Sequence, residues 1–144
     1  MRAYFWEHYT LSELSDAEWE ALCDGCGKCC LKKFTDIDTE EVLHTSVACH
    51  KLNIETCRCR SYARRHAEVP DCIDVRADME WSWLPATCAY RLRALDKPLF
   101  DWHPLVSGSP ASVHTAGISV RGNVLSEENV HPDELEQHIV HWVE

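Results

Sequence analysis

Cys23-Asp24-Gly25-Cys26-Gly27-Lys28-Cys29-Cys30 sets three cysteines three apart and a fourth directly after the third. Cysteines at that step can converge on one centre. Glycines between them permit positive φ and let backbone amides approach the sulfurs, as in anion-binding nests. Two of the chain's five glycines stand in these eight residues, a concentration that argues against ordinary packing. A lone C-x-x-C would suit a thioredoxin-like redox pair. The ladder C-x-x-C-x-x-C-C, with five more cysteines downstream, points to metal instead. Its first three steps match the opening of the bacterial ferredoxin run, whose fourth cysteine is missing here at its usual place. Vicinal Cys29 and Cys30 point to different sides. They therefore suit two centres, or two edges of one polynuclear site.

The downstream thiols are Cys49, Cys57, Cys59, Cys72 and Cys88, so all nine cysteines fall between positions 23 and 88. In an extended segment Cys57 and Cys59 share a face. Four thiolates complete a tetrahedral zinc site or a four-iron cluster. Eight complete two such sites and leave one thiol over. All nine are candidate metal ligands, and the spare is expected to be Cys88 or Cys57. Free cysteine is also a common core residue, and Cys88, beside apolar helix residues, reads equally well as packing. An odd count argues against a disulfide framework. Met1 to His8 lacks the apolar stretch of a signal peptide, and no run approaches the 18 apolar residues of a membrane span. The expected compartment is the cytoplasm, where thiols stay reduced.

The length of 144 residues implies one domain, 1–144, able to bury about 68–70% of its unfolded surface without covalent staples. With 45% hydrophobic and 26% charged residues and a mean hydropathy of −0.33, the composition is that of a globular chain. The net charge is −10. Residues 1–22 carry one basic and five acidic side chains, residues 23–88 nine and eleven, and residues 89–144 four and eight. The cysteine segment is thus the least acidic until its thiols ionise, when bound cations would offset the charge. An acidic chain lacks the basic footprint of nonspecific nucleic-acid binding. Neither nucleic acid nor membrane is expected as a partner, which leaves a protein or a small molecule.

Around the cysteines the pattern is α+β: short helices, a hairpin and irregular loops organised around the cysteine site. Ser15-Asp16-Ala17-Glu18 is a capping box, and Leu14 and Trp19 form a hydrophobic staple. They predict a helix over 15–23 that delivers the chain into the octet. Residues 31–35 and 41–47 predict a hairpin around Asp36-Ile37-Asp38-Thr39. Residues 49–72 read as irregular, with a short helix at 61–67. A helix is expected from Thr87, as cap, to Leu95, another opening at Ser109-Pro110, a strand at Ile118-Ser119-Val120 with a turn at Gly122-Asn123, and a terminal helix from Pro132 to Trp142. Trp81, Trp83 and Trp102 are expected in the core or a pocket wall. Segment 89–144 is expected to pack around the cysteine segment.

Among other candidates, His50 follows Cys49 and is either an extra ligand or a solvated loop residue. His103 and His114 are candidates for a pocket lining, whereas His138 and His141 read as surface residues. Arg58, Arg60, Arg64 and Arg65 form a basic knot that could bind a phosphate, an anionic partner or RNA, and whose simplest role is to stabilise nearby thiolates. No phosphate loop, nucleophile elbow or H-E-x-x-H occurs.

The octet, followed by cysteines near a tyrosine and a basic residue, resembles the CxxCxxCC family, a domain described as zinc- or iron-chelating. Thr56-Cys57-Arg58-Cys59-Arg60 and Pro70-Asp71-Cys72 bring it closer to the YcgN-like branch. The likeness extends to Leu14-Ser15-Asp16-Ala17-Glu18-Trp19-Glu20 and Thr87-Cys88-Ala89-Tyr90-Arg91. Cys59-Arg60-Ser61-Tyr62 and Cys72 fill later places of the family pattern. Arg65-His66 replaces its R-P, and Cys49 lacks the aromatic that follows. The resemblance implies a zinc or iron cofactor, including a [4Fe-4S] cluster, and supplies no reaction. Three functions stay open: a metal-binding protein, a metal-dependent or redox enzyme using the same site, and a structural zinc interaction module. An open ligand position beside segment 81–102 would favour the enzyme, and a closed four-thiolate site without a pocket the module.

Overall fold

The computed structural model describes residues 1–70, 72–78 and 81–143. Asp71, inside the Pro70-Asp71-Cys72 stretch, lies outside the described residues. In chain order the elements are α1 (Phe5–His8), α2 (Asp16–Leu22), β1 (Leu31–Thr35), β2 (Val42–Ala48), β3 (Leu52–Asn53), β4 (Arg58–Cys59), α3 (Arg65–Glu68), α4 (Val75–Asp78), α5 (Ala89–Ala94), α6 (Pro104–Ser107), α7 (Ser112–Thr115) and β5 (Leu125–Ser126). This is the α+β mixture of short helices, small sheets and a hairpin that the sequence predicts. No helix among the described residues is long and apolar enough to cross a membrane.

The capping box at Ser15 forms in both directions. Glu18 N–H donates to Ser15 Oγ at 3.2 Å, and Ser15 N–H donates to Glu18 Oε1 at 2.9 Å. Glu18 is buried and is clasped by Arg2, whose Nη2 and Nε donate to its two carboxylate oxygens at 2.7 and 3.1 Å. A bidentate fork of this kind satisfies a buried carboxylate well. Leu14 and Trp19 join Phe5, Leu22, Leu84, Ala89 and Tyr90 in one apolar cluster. Tyr90 ties α5 to α2 by donating its hydroxyl to the Trp19 carbonyl at 2.6 Å.

The hairpin forms as predicted. β1 pairs antiparallel with β2, Lys33 opposite His44 and Thr35 opposite Val42, with a bulge after Leu31. Asp36 closes the turn by accepting the amides of Asp38 and Thr39 at 2.8 and 3.2 Å. A second apolar cluster, made of Leu31, Ala48, Leu52, Cys57 and Val120, lies beneath this sheet. The octet therefore runs from Leu22 of the first cluster to Leu31 of the second.

Several expectations are corrected. Thr87 is not the cap of α5. Cys88 holds that position without a side-chain bond, and Thr87 Oγ1 faces Lys28 Nζ at 3.4 Å. The helix placed at Ser109-Pro110 starts later, at Ser112, whose hydroxyl bonds the Ser109 and Trp102 carbonyls. Residues 118–120 are not a strand, because Val120 N–H is spent on the Cys26 carbonyl at 2.9 Å. The third strand is β5, parallel to β2. The terminal helix is a 3₁₀ stretch, Pro132–His138. It ends where Ile139 bridges to Thr45 and Val140 N–H reaches the His44 carbonyl, so pairing to β2 overrides helical periodicity. Of the tryptophans expected in the core, Trp81 packs at the edge of the first cluster, Trp83 is exposed, and Trp102 stacks on Phe100 at 5.5 Å.

The Arg2 hydrogen bonds hold the Glu18 carboxyl well below the ordinary value of 4.5. A depressed folded value stabilises the fold above the unfolded pKa, and that contribution drains away as pH falls below it. The stability gap between the wild type and Glu18→Gln, measured by urea denaturation, is expected to be constant above pH 4.5 and to narrow progressively below it. A gap independent of pH would contradict this.

Candidate metal centre

The octet begins where α2 stops and is shaped by two left-handed glycines. Gly25 has φ +78° and Gly27 φ +79°. A Cβ on Gly27 would sit 2.9 Å from Val120 Cγ2 and 3.3 Å from Cys57 Cβ, and one on Gly25 would sit 2.9 Å from Arg58 Nη2. Both positions thus require glycine for conformation, and Gly27, against buried Val120 and Cys57, requires it for space as well. The tight path lets Lys28 N–H approach Cys26 Sγ at 3.5 Å. It also sends Cys30 toward Cys49, whose N–H donates to the Cys30 carbonyl at 2.8 Å.

The charges felt by the thiols divide them into two sets. Desolvation pushes Cys23 up to about 12 and Cys26 well above its ordinary value, with Cys29 and Asp24 adding to both. Cys88 is pushed up to about 12 by desolvation, and Asp24 and Cys29 add again. Cys23, Cys26, Cys29 and Cys88 with Asp24 therefore form the first set. Cys30 is raised by its hydrogen bond to Cys29, then by desolvation, and by the charges of Cys29, Cys49 and Cys72. Desolvation also raises Cys72, which Cys29, Cys49 and Cys59 raise further. Cys30, Cys49, Cys59 and Cys72 form the second set. Cys29 sits between the two. The Cys30 thiol bonds to it and Lys33 lies beside it, so it is lowered to about 7. Cys23 and Cys29 keep solvent-exposed edges within this dense surrounding. All nine thiols are free.

Cys57 stands apart. It is buried in the second apolar cluster at a positive φ of 61°. Cys88, the other suspected spare, borders the first apolar cluster and also feels Asp24 and Cys29.

Two further donors come from residues the sequence reading did not single out. Glu127 accepts both His50 N–H at 2.7 Å and His50 Nδ1 at 2.8 Å, and pairs with Lys32 at 3.2 Å. Cys49, His50 and Glu127 place one donor atom each within 4.8 Å of one another, the only such trio among the described residues. Glu127 is 77 residues from His50, so no local pattern marks it. Asp24 is buried; its Oδ1 accepts Cys26 N–H at 2.9 Å, and its Oδ2 has no partner among the described residues. An acid placed between two cysteines of the ladder is the sequence signal that marks it.

The donor chemistry fits a thiophilic cation. Raised thiols and an orphaned carboxylate oxygen are what a negative cluster looks like when protons hold the positions of a metal. Among the described residues, in neither thiol set, nor around Asp24, do three donor atoms lie within 4.8 Å of one another, so binding a metal requires them to draw together.

Other candidates resolve into structural roles. His103 Nδ1 accepts Leu105 N–H at 3.0 Å, so Nε2 carries the proton and donates to the Leu22 carbonyl at 2.7 Å. It clamps α6 onto α2. His114 Nδ1 bonds Ser119 Oγ at 2.7 Å. Arg58 eases Cys23 and Arg65 eases Cys72, as expected of the basic knot. Arg64 pairs instead with Glu68 at 4.0 Å, and Arg60 N–H bonds the Lys51 carbonyl.

Clustered thiols on loops between two small apolar clusters characterise a cysteine-rich chelating domain, and residues 22–89 match the family CxxCxxCC, described as "Putative zinc- or iron-chelating domain". The chain belongs to the UPF0260 family. It is 50% identical over 141 residues to the UPF0260 protein of Marinobacter nauticus, covering 96% of this chain and 95% of the relative. The Cellvibrio japonicus protein is 53% identical over 141 residues, with 96% of both chains covered. The Klebsiella pneumoniae protein is 55% identical over 128 residues, covering 88% and 86%. No solved structure matches the chain.

Gly27→Ala forces a left-handed alanine, costing about 1–2 kcal/mol, and adds the contact with Val120. Gly122 has φ +81° but open space around it. Denaturant midpoints should therefore fall further for Gly27→Ala than for Gly122→Ala, and equal falls would contradict the packing role.

Proposed function

We propose that this protein chelates zinc or iron at two thiolate centres in a reducing compartment, the cytoplasm. Cys23, Cys26, Cys29 and Cys88 would contribute to one and Cys30, Cys49, Cys59 and Cys72 to the other, with Cys57 as a core residue. The observations that carry this reading are the buried Asp24 in the octet, whose Oδ2 has no hydrogen-bond partner among the described residues, and the Cys49–His50–Glu127 donors gathered within 4.8 Å of one another. Zinc in such sites adds folding free energy and is redox-silent, whereas an iron–sulfur cluster adds electron transfer.

Anaerobic purification, a visible spectrum and assays of metal and acid-labile sulfide test the proposal. Colourless protein with stoichiometric zinc supports thiolate zinc, and coloured protein with iron and sulfide supports a cluster. Metal-free folded protein, stable to chelators, overturns both. Cys26→Ser should lower metal content and Cys57→Ser should not.

A second reading, that a small anionic molecule binds beside the metal, rests on a cavity of about 420 Å³ lined by Lys28, Thr87, Gly117, Ile118, Asn123 and Trp142. Lys28 is buried, its ammonium is 3.4 Å from Thr87 Oγ1, and it makes no ion pair among the described residues. A buried, unpaired ammonium favours an anion. Saturation-transfer NMR with benzoate should give a saturable signal that Lys28→Gln abolishes. Equal signals in both proteins would remove this reading.

A further inference from the structure

We propose that Asp24 is itself a metal ligand. Its Oδ2 would complete the first centre with Cys23, Cys26 and Cys88, leaving Cys29 to face the second set. The inference rests on the two-centre reading and deepens it, turning a centre expected to be all sulfur into a mixed sulfur–oxygen one.

The starting observation is an imbalance. Asp24 is only 5% exposed. One carboxylate oxygen caps the Cys26 amide at 2.9 Å, and the other is buried without a hydrogen-bond partner among the described residues. Proteins rarely leave a charged oxygen in that condition, because desolvation is then uncompensated. Its charged neighbours make matters worse. Cys23, Cys26, Cys29 and Cys88 all feel the Asp24 charge, and each adds another negative charge on ionising.

The positive groups nearby do not relieve it. His103 feels Asp24, but both its ring nitrogens are engaged, with the Leu22 carbonyl and the Leu105 amide. Lys28 Nζ is directed to Thr87 Oγ1. Arg58 lies over Gly25, one residue along. No ion pair to Asp24 exists among the described residues. A bound divalent cation supplies the missing compensation, and carboxylate oxygen is an accepted zinc ligand beside thiolates.

The position of Cys29 supports the substitution. Cys29 is the member of the first set that the Cys30 thiol bonds and that Lys33 approaches, with the Lys33 ammonium anchored to the Cys29 and Leu31 carbonyls at 2.9 and 2.7 Å. Cys29 thus bridges the two sets, and with Cys29 serving the second, Asp24 takes the fourth place in the first. Three thiolates and one carboxylate carry the same formal charge as four thiolates.

Asp24→Asn isolates the ligand role, because asparagine retains an oxygen to cap Cys26 N–H. Apo-protein is reloaded with zinc alone and titrated against a chromophoric chelator. Circular dichroism confirms that the fold is retained. One of two zinc equivalents should weaken by at least about tenfold in Asp24→Asn, and the other should keep wild-type affinity. X-ray absorption of the zinc-loaded wild type should show an oxygen scatterer at about 2.0–2.2 Å beside sulfur, diminished in Asp24→Asn. Wild-type affinity at both sites in Asp24→Asn, or a sulfur-only shell in the wild type, overturns the ligand role. If Cys26→Ser still loses one zinc in that case, the two-centre reading stands without it. A wild type that binds no zinc overturns the ligand role, and one that as purified also carries no iron overturns both.

Discussion

Leu22 and Leu31 fix the two ends of the cysteine octet in separate apolar clusters, and residues 24–28 between them are buried. Gly27 meets Val120 and the Cys57 side chain so closely that no Cβ fits. The backbone turns left-handed there. Val120 completes the clamp by donating its amide to the Cys26 carbonyl. In this way a residue almost 100 positions downstream holds the octet in shape. The buried Cys57 has a packing duty in the same contact.

Burial gives this geometry an electrostatic consequence. Water stabilises thiolates and carboxylates, and a packed interior does not. Desolvation raises most of the shifted thiols, and their mutual repulsion and Asp24 raise them further. Left with protons, the thiols gain nothing from being brought together. With a divalent cation the same repulsion becomes attraction, and the cost of burying the ligands becomes binding free energy. The Arg58 and Arg65 guanidinium groups and the Lys33 ammonium reduce that cost from outside without occupying the centres.

Features with short-range causes were legible in the sequence. The Ser15 capping box, the hairpin around Asp36 and the two tight glycines each follow from residues within a few positions. What was not legible depends on distant pairing. Residues 118–120 look like a strand, yet their amide is consumed by the octet, and β5 takes the place beside β2. The terminal segment has helical spacing, but Ile139 is drawn onto Thr45. The cysteine pattern points to a metal site but does not carry the proposed partition. That partition depends on where Cys88, Cys49, Cys59 and Cys72 are carried by separate elements, and on Glu127 and Asp24, whose roles appear only in three dimensions.

The central claim is that folding gathers eight thiols so that metal can replace their protons. Native mass spectrometry of anaerobically purified protein tests it most directly. The account predicts that the native mass exceeds the denatured mass by metal or cluster at both thiol sets, with thiol protons lost to match. Coincident native and denatured masses would contradict it.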